Sequence, residues 1–231
     1  MTTLSSSGRP VHYRDFIIVP VFILLQYLFP LLAEDVFPKL LESYFNYSLQ
    51  QPGRTILFNV MMFLAQVIVI IIFIALHRHH IVTAAQARLK GVRQHWWRII
   101  VVYFILTGFI LIYQRFVPLM AILDERIITL PLSLITIGIL TPIVEELLFR
   151  HLIIGELGKK FGFRFMAVVS ILVFGVSHFL HFTSIWTFLP FIAGGVAMTY
   201  VYMASKRNIL VAMVLHIIIN SVSQILGMLG I

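Results

Sequence analysis

Two adjacent glutamates, Glu145 and Glu146, and an arginine, Arg150, stand in TPIVEELLFRH (141–151), directly after the nearly uncharged run IITLPLSLITIGIL. Ionisable groups inside an apolar helix cost about 2.5–3.5 kcal/mol each on insertion scales and usually mark function. Glu146 and Arg150 are one helical turn apart, so they share a face and can pair, whereas Glu145 is rotated by about 100° and looks elsewhere. Two further polar groups lie in later apolar runs. One is His178, a turn after Phe174 and beside Ser177; the other is His216 with Asn220, again on a common face. Together they hold what amide hydrolysis requires: a carboxylate and an imidazole to take a proton from water, and two donors to hold an oxyanion. The plainer account is interhelical hydrogen bonding that only holds a bundle together. Three groups on three helices, one of them with a glutamate left without a cation, favour chemistry.

Membrane helices must position these side chains. The 231 residues are 60% hydrophobic and 11% charged, outside the balance of a soluble domain. A spanning helix needs about 20 mostly apolar residues, and the runs 16–33, 56–76, 96–113, 131–157, 163–182, 185–204 and 209–229 meet that requirement. The expected fold is therefore all-α, a polytopic transmembrane bundle of about seven spans with no soluble domain between them. The first run follows SSSGRPVHYRD and has no convincing small-residue cleavage site, so it reads as an uncleaved anchor. With the N-terminus inside, thirteen of the 17 Lys and Arg face the cytoplasm, and Lys39, Arg54, Arg115 and Arg126 face the other side. That is the positive-inside pattern, and it places the C-terminus outside.

Pro142 stands three residues before Glu145, removes one helix hydrogen bond and tends to bend the axis, opening the wall beside the carboxylate. Segment 131–157 exceeds the length of a span, and tilting it brings Glu145 to the depth of His178 and Asn220. The stretch HRHHIVTAAQARLKGVRQHWWR (77–98) reads as a basic cytoplasmic loop anchored at the interface by Trp96 and Trp97, in preference to a metal-binding or regulatory loop. Gly194 and Gly195 are expected to let helices approach closely. Zero cysteines exclude disulfides, thiolate ligands and a catalytic cysteine, so any metal would need His, Asp or Glu. The net charge of +8 sits at the ends of apolar runs, where it orients helices in a lipid bilayer and does not indicate nucleic-acid binding.

EELLFR (145–150), FGVSH (174–178) and HIIIN (216–220), in that order on successive helices, resemble the motifs EExxxR, FxxxH and HxxxN of the CAAX protease and bacteriocin-processing family, also called the Abi family, of intramembrane proteases. The resemblance covers about 75 residues of the C-terminal half, and the chain is read as an N-terminal transmembrane region, 1–125, and a protease-type core, 126–231. It implies that Glu145 and His178 activate water, that His216 and Asn220 stabilise the oxyanion, and that Glu146, Arg150 and Phe174 support the site. The family is also described as metalloproteases, and Glu145, His178 and His216 could make a zinc site with one carboxylate and two histidines. The absence of HExxH and the presence of Asn220, a poor zinc ligand, favour a metal-free mechanism with no cofactor. The implied substrate is a membrane-associated peptide or protein. The chain's compactness resembles bacterial members linked to bacteriocin self-immunity or peptide pheromone processing, which places it in a bacterial plasma membrane. Two other readings are a proton-coupled carrier, against which no paired broken helices stand in matching halves, and a non-catalytic membrane scaffold.

Overall fold

The computed structural model describes residues 10–79, 81–117, 131–179 and 185–228. Those residues form seven helices: α1 (Tyr13–Phe45), α2 (Gln51–His77), α3 (Ile81–Tyr113), α4 (Pro131–Phe161), α5 (Phe163–Phe179), α6 (Ile185–Ala204) and α7 (Ile209–Met228). Five of them, α1 to α4 and α7, are long and apolar enough to cross a membrane, while α5 and α6 contain shorter apolar helices. Large apolar side chains such as Leu24, Phe104, Ile112, Phe165 and Leu172 point outward, which a bilayer accommodates and water does not. The chain is an all-α membrane bundle.

Helix α4 is the hub. It packs against α2, α5 and α7, while α7 also contacts α3 and α6, and α1 lies on α2. Half of α4's most apolar stretch is buried, against 11–22% for α1 to α3, so α4 meets more protein and less lipid than the outer helices. Short contacts between α4, α5 and α6 depend on residues without bulk. At Gly195 a Cβ would lie 3.2 Å from Phe174 Cδ1 and 3.5 Å from the Ile171 carbonyl. At Gly194 a Cβ would meet Met198 Cε at 3.6 Å, an ordinary contact within the same helix, so of the expected glycine pair Gly195 makes the close approach.

One end of the bundle gathers the start of α1, the end of α2, the start of α3 and the α4–α5 and α6–α7 turns. Lys159 Nζ reaches the Pro10 carbonyl at 3.2 Å, Asn208 Nδ2 donates to the Arg88 carbonyl at 2.8 Å, and Arg207 lies over the Phe163 ring at 3.6 Å. This end carries most of the basic residues. The stretch 77–98 differs from expectation: from Ile81 onward it is helical and continues into the apolar part of α3 as one helix. The Ala, Gln, Arg, Leu and Lys of AAQARLK are strong helix formers, and the contact of Asn208 with Arg88 secures that projecting part. The expected boundary at 125/126, the tail after Met228 and the end of the run 163–182 lie outside the described residues.

Candidate active site

Helix α4 is irregular where the site is built. Wide π turns over Leu134–Leu140 and Leu147–Leu157 flank an α-helical segment, Thr141–Glu146, with Pro142 in its first turn. Proline has no N–H, so Gly138 loses its α-helical donor and Ile137, five residues before Pro142, loses its π-helical one. Helix α7 takes both carbonyls: Ser221 Oγ donates to Gly138 at 3.2 Å and Asn220 Nδ2 to Ile137 at 3.1 Å. Gly138 permits this, because a Cβ there would stand 2.9 Å from Ser221 Oγ. The proline thus fastens α7 to α4 beside the two glutamates, and Ser221 was not legible as part of this joint from sequence.

The glutamates separate as their helix phase requires. Glu146 is fully buried; its Oε1 accepts from Arg150 Nη1 at 2.9 Å and from His216 Nδ1 at 2.8 Å. Arg150, equally buried, gives its other terminal nitrogen to the Gly195 carbonyl at 3.1 Å and lies over Phe174 with Cζ 5.1 Å from the ring centre. Among the described residues no arginine or lysine forms an ion pair with Glu145. Its side chain keeps 14% exposure, with Oε2 3.4 Å from His216 Nε2 and Oε1 3.9 Å from His178 Nε2.

Both imidazoles are oriented from behind. His178 Nδ1–H donates to the Phe174 carbonyl at 2.8 Å, and the ring stacks on Phe191 with centroids 4.4 Å apart. A carboxylate only accepts, so His216 carries a hydrogen on the Nδ1 that faces Glu146, and its Nε2 is the atom presented to Glu145. Phe174 touches both rings, with centroids 4.7 Å from His178 and 6.0 Å from His216, and also meets Phe149 edge-on at 5.0 Å. The structure therefore brings together Glu145, His178 and His216, and with them Glu146, Arg150 and Phe174. Asn220 is placed by its tether to Ile137. Phe191 and the Gly195 carbonyl were missed in sequence, because an aromatic or a glycine in an apolar helix carries no chemical signal until its neighbour is known.

The site's two histidines and one carboxylate have the donor types that zinc takes, each histidine with its outer nitrogen engaged as in metal sites. Their donor atoms are nevertheless not among the groups in which all ligand atoms lie within 4.8 Å of one another.

Comparison with known proteins returns the same half of the chain. Residues 127–222 match the family model described as type II CAAX prenyl endopeptidase Rce1-like. Over 101 residues the chain is 35% identical to the Bacillus subtilis (strain 168) protein described as "Putative membrane peptidase YdiL", a stretch that is 44% of this chain and 39% of that protein. The chain thus spans well under half the length of that relative. No solved structure matches the chain. The three motifs, their convergence on α4, α5 and α7, and the match over 127–222 agree in likening this segment to the type II CAAX prenyl endopeptidase Rce1-like family.

Proposed function

We propose that this protein is an intramembrane endopeptidase that hydrolyses peptide bonds of membrane-associated peptides or proteins, with Glu145 as general base. The observation that carries the reading is the contrast between the two glutamates: Glu146 is occupied by Arg150 and His216, while Glu145 faces His178 and His216, its ion-pair partners among the described residues, and retains exposure. The 3.9 Å between Glu145 Oε1 and His178 Nε2 exceeds a direct hydrogen bond, and one water bridging two acceptors suits such a gap. That water gives a proton to Glu145 as its oxygen attacks the scissile carbonyl. The developing oxyanion is held by His216 Nε2 and by the second amide hydrogen of Asn220, the first being engaged with Ile137. Collapse of the tetrahedral species passes the proton from Glu145 to the leaving amine, yielding a carboxylic acid and an amine.

A zinc-dependent version of the same site is the second reading, favoured by the engaged outer nitrogens of His178 and His216. Glu145, His178 and His216 would hold the ion, and it would acidify bound water. Substrates of the bacteriocin or peptide pheromone class, in a bacterial plasma membrane, belong to this proposal. The test is purified protein in liposomes with a panel of membrane-anchored peptides, the products read by mass spectrometry. New termini with wild type that are lost in Glu145→Gln are expected; identical product profiles from both proteins would reject Glu145 as the base. Activity abolished by strong chelation and restored by zinc alone would select the second reading.

A further inference from the structure

At the end of the bundle that carries the start of α1, a second group of titratable side chains stands apart from Glu145. Asp15, in the first turn of α1, is fully buried. Its Oδ2 lies 2.9 Å from His151 Nε2 of α4 and 3.3 Å from His77 Nε2 at the end of α2. One donor atom from each of the three lies within 4.8 Å of the other two. Asp15 Oδ1, by contrast, accepts no hydrogen bond among the described residues, and the exposed Arg14 guanidinium lies 3.7 Å from it. A buried carboxylate with one oxygen unbonded retains capacity for a further partner.

His77 narrows what would supply it. Its Nδ1 faces the Phe73 carbonyl at 3.0 Å, so Nδ1 bears the hydrogen and Nε2 of the neutral ring offers a lone pair towards Asp15. With the ring neutral, two acceptors face each other there, a gap that either a second proton on His77 or a metal cation fills. A backbone carbonyl behind the ring is also how metal-binding histidines are oriented. One carboxylate and two imidazoles suit zinc and related divalent transition metals. Ligand distances of roughly 2.0–2.2 Å around a tetrahedral ion separate the donors by roughly 3.3 Å, close to the 2.9 and 3.3 Å of the two histidine nitrogens from Asp15 Oδ2, and the two nitrogens themselves lie within 4.8 Å of each other.

We propose that Asp15, His77 and His151 form a divalent transition-metal site of the zinc class, separate from the Glu145 site and independent of any activity there. Three helices supply one ligand each, so the ion clamps the start of α1 and the end of α2 onto α4. His151 lies six residues beyond Glu145, about 9 Å along the helix axis. The second carboxylate nearby, Glu156, is already engaged by the His12 backbone N–H at 2.8 Å and Lys159 Nζ at 2.7 Å. Those bonds strap the N-terminal segment onto α4 and set the position of Asp15.

The experiment titrates Zn²⁺ into the full chain, purified in detergent without a polyhistidine tag, and reads stoichiometry and affinity by calorimetry. One ion per chain is expected, at least about tenfold weaker in His77→Gln and in His151→Gln and unaltered in Glu145→Gln. X-ray absorption of the zinc-loaded wild type should show two imidazole nitrogens and a carboxylate oxygen at about 2.0–2.2 Å. Two ions per chain, one lost with His77→Gln and the other with Glu145→Gln, support the site equally. The proposal is overturned by a wild type that binds no stoichiometric zinc, by binding that survives both histidine substitutions, or by binding that Glu145→Gln alone removes. The wild-type and Glu145→Gln measurements do not depend on how well the histidine variants fold.

Discussion

Two carboxylates adjacent in sequence have unequal surroundings, and substitution should separate them. Glu145→Gln keeps the shape of the side chain but cannot accept a proton from water, so turnover should fall by at least about 10²–10⁴ with little change in melting temperature. Glu146→Gln removes the counter-charge of a fully buried arginine, and breaking such a pair from one side costs about 3–5 kcal/mol. Yield and thermal stability should drop, and Glu146→Gln with Arg150→Met should recover part of the loss. Glu146 also holds His216 Nδ1 at 2.8 Å, so the double variant should regain folding without full turnover. A stable, inactive Glu146→Gln beside an unstable Glu145→Gln would reverse the assignment. Asn220→Ala should lower turnover by about 10²–10³ through loss of an oxyanion donor. Its bond to Ile137 adds a stability cost of about 1 kcal/mol, measured separately by thermal unfolding. Normal turnover in that variant would remove Asn220 from the mechanism.

At the scale of the element, α4 is shaped by a missing backbone hydrogen. Pro142 leaves the Ile137 and Gly138 carbonyls to Asn220 and Ser221 of α7, so local irregularity becomes an interhelical joint. Ser221→Ala should then cost about 0.6 kcal/mol in the wild-type background, the average for hydrogen bonds between membrane helices, and no more than about 1.7 kcal/mol. In a Pro142→Ala background the restored N–H can satisfy Gly138 from within α4, and the same Ser221→Ala change should cost almost nothing. A double-mutant cycle on unfolding in mixed micelles measures this coupling, and additive effects would disprove the joint. Pro142→Ala should also lower turnover while leaving the protein at least as stable, because it frees α7 and with it His216.

For the whole molecule, the described contacts bring the basic ends of α1 to α7 to one side of the bundle. Positive charge is retained on the cytoplasmic face, so cysteines placed at Lys160 and Lys206 should be protected from an impermeant maleimide in intact cells, and one at Arg54 should be labelled. The chain has no cysteine of its own to confuse the result. Labelling of Arg54 and Lys160 from the same side would overturn the alternating path.

Composition and local pattern carried the all-α membrane class, the pairing of Glu146 with Arg150 and the distinct direction of Glu145, because apolar run length and the 100° step of a helix are properties of neighbouring residues. The ordered motifs named the residues that meet. Sequence did not reveal that His216 stands between both glutamates, that Gly195 supplies an acceptor to Arg150, or that Asp15, His77 and His151 converge from three helices. Residues 77–98 also read as a loop because their charge outweighed their helix propensity, whereas the contact between Asn208 and Arg88 secures them as helix. Each of these depends on the rotation and depth at which separate helices pack, and packing between helices is set by the shapes of residues far apart in the chain. Only the tertiary structure could decide them.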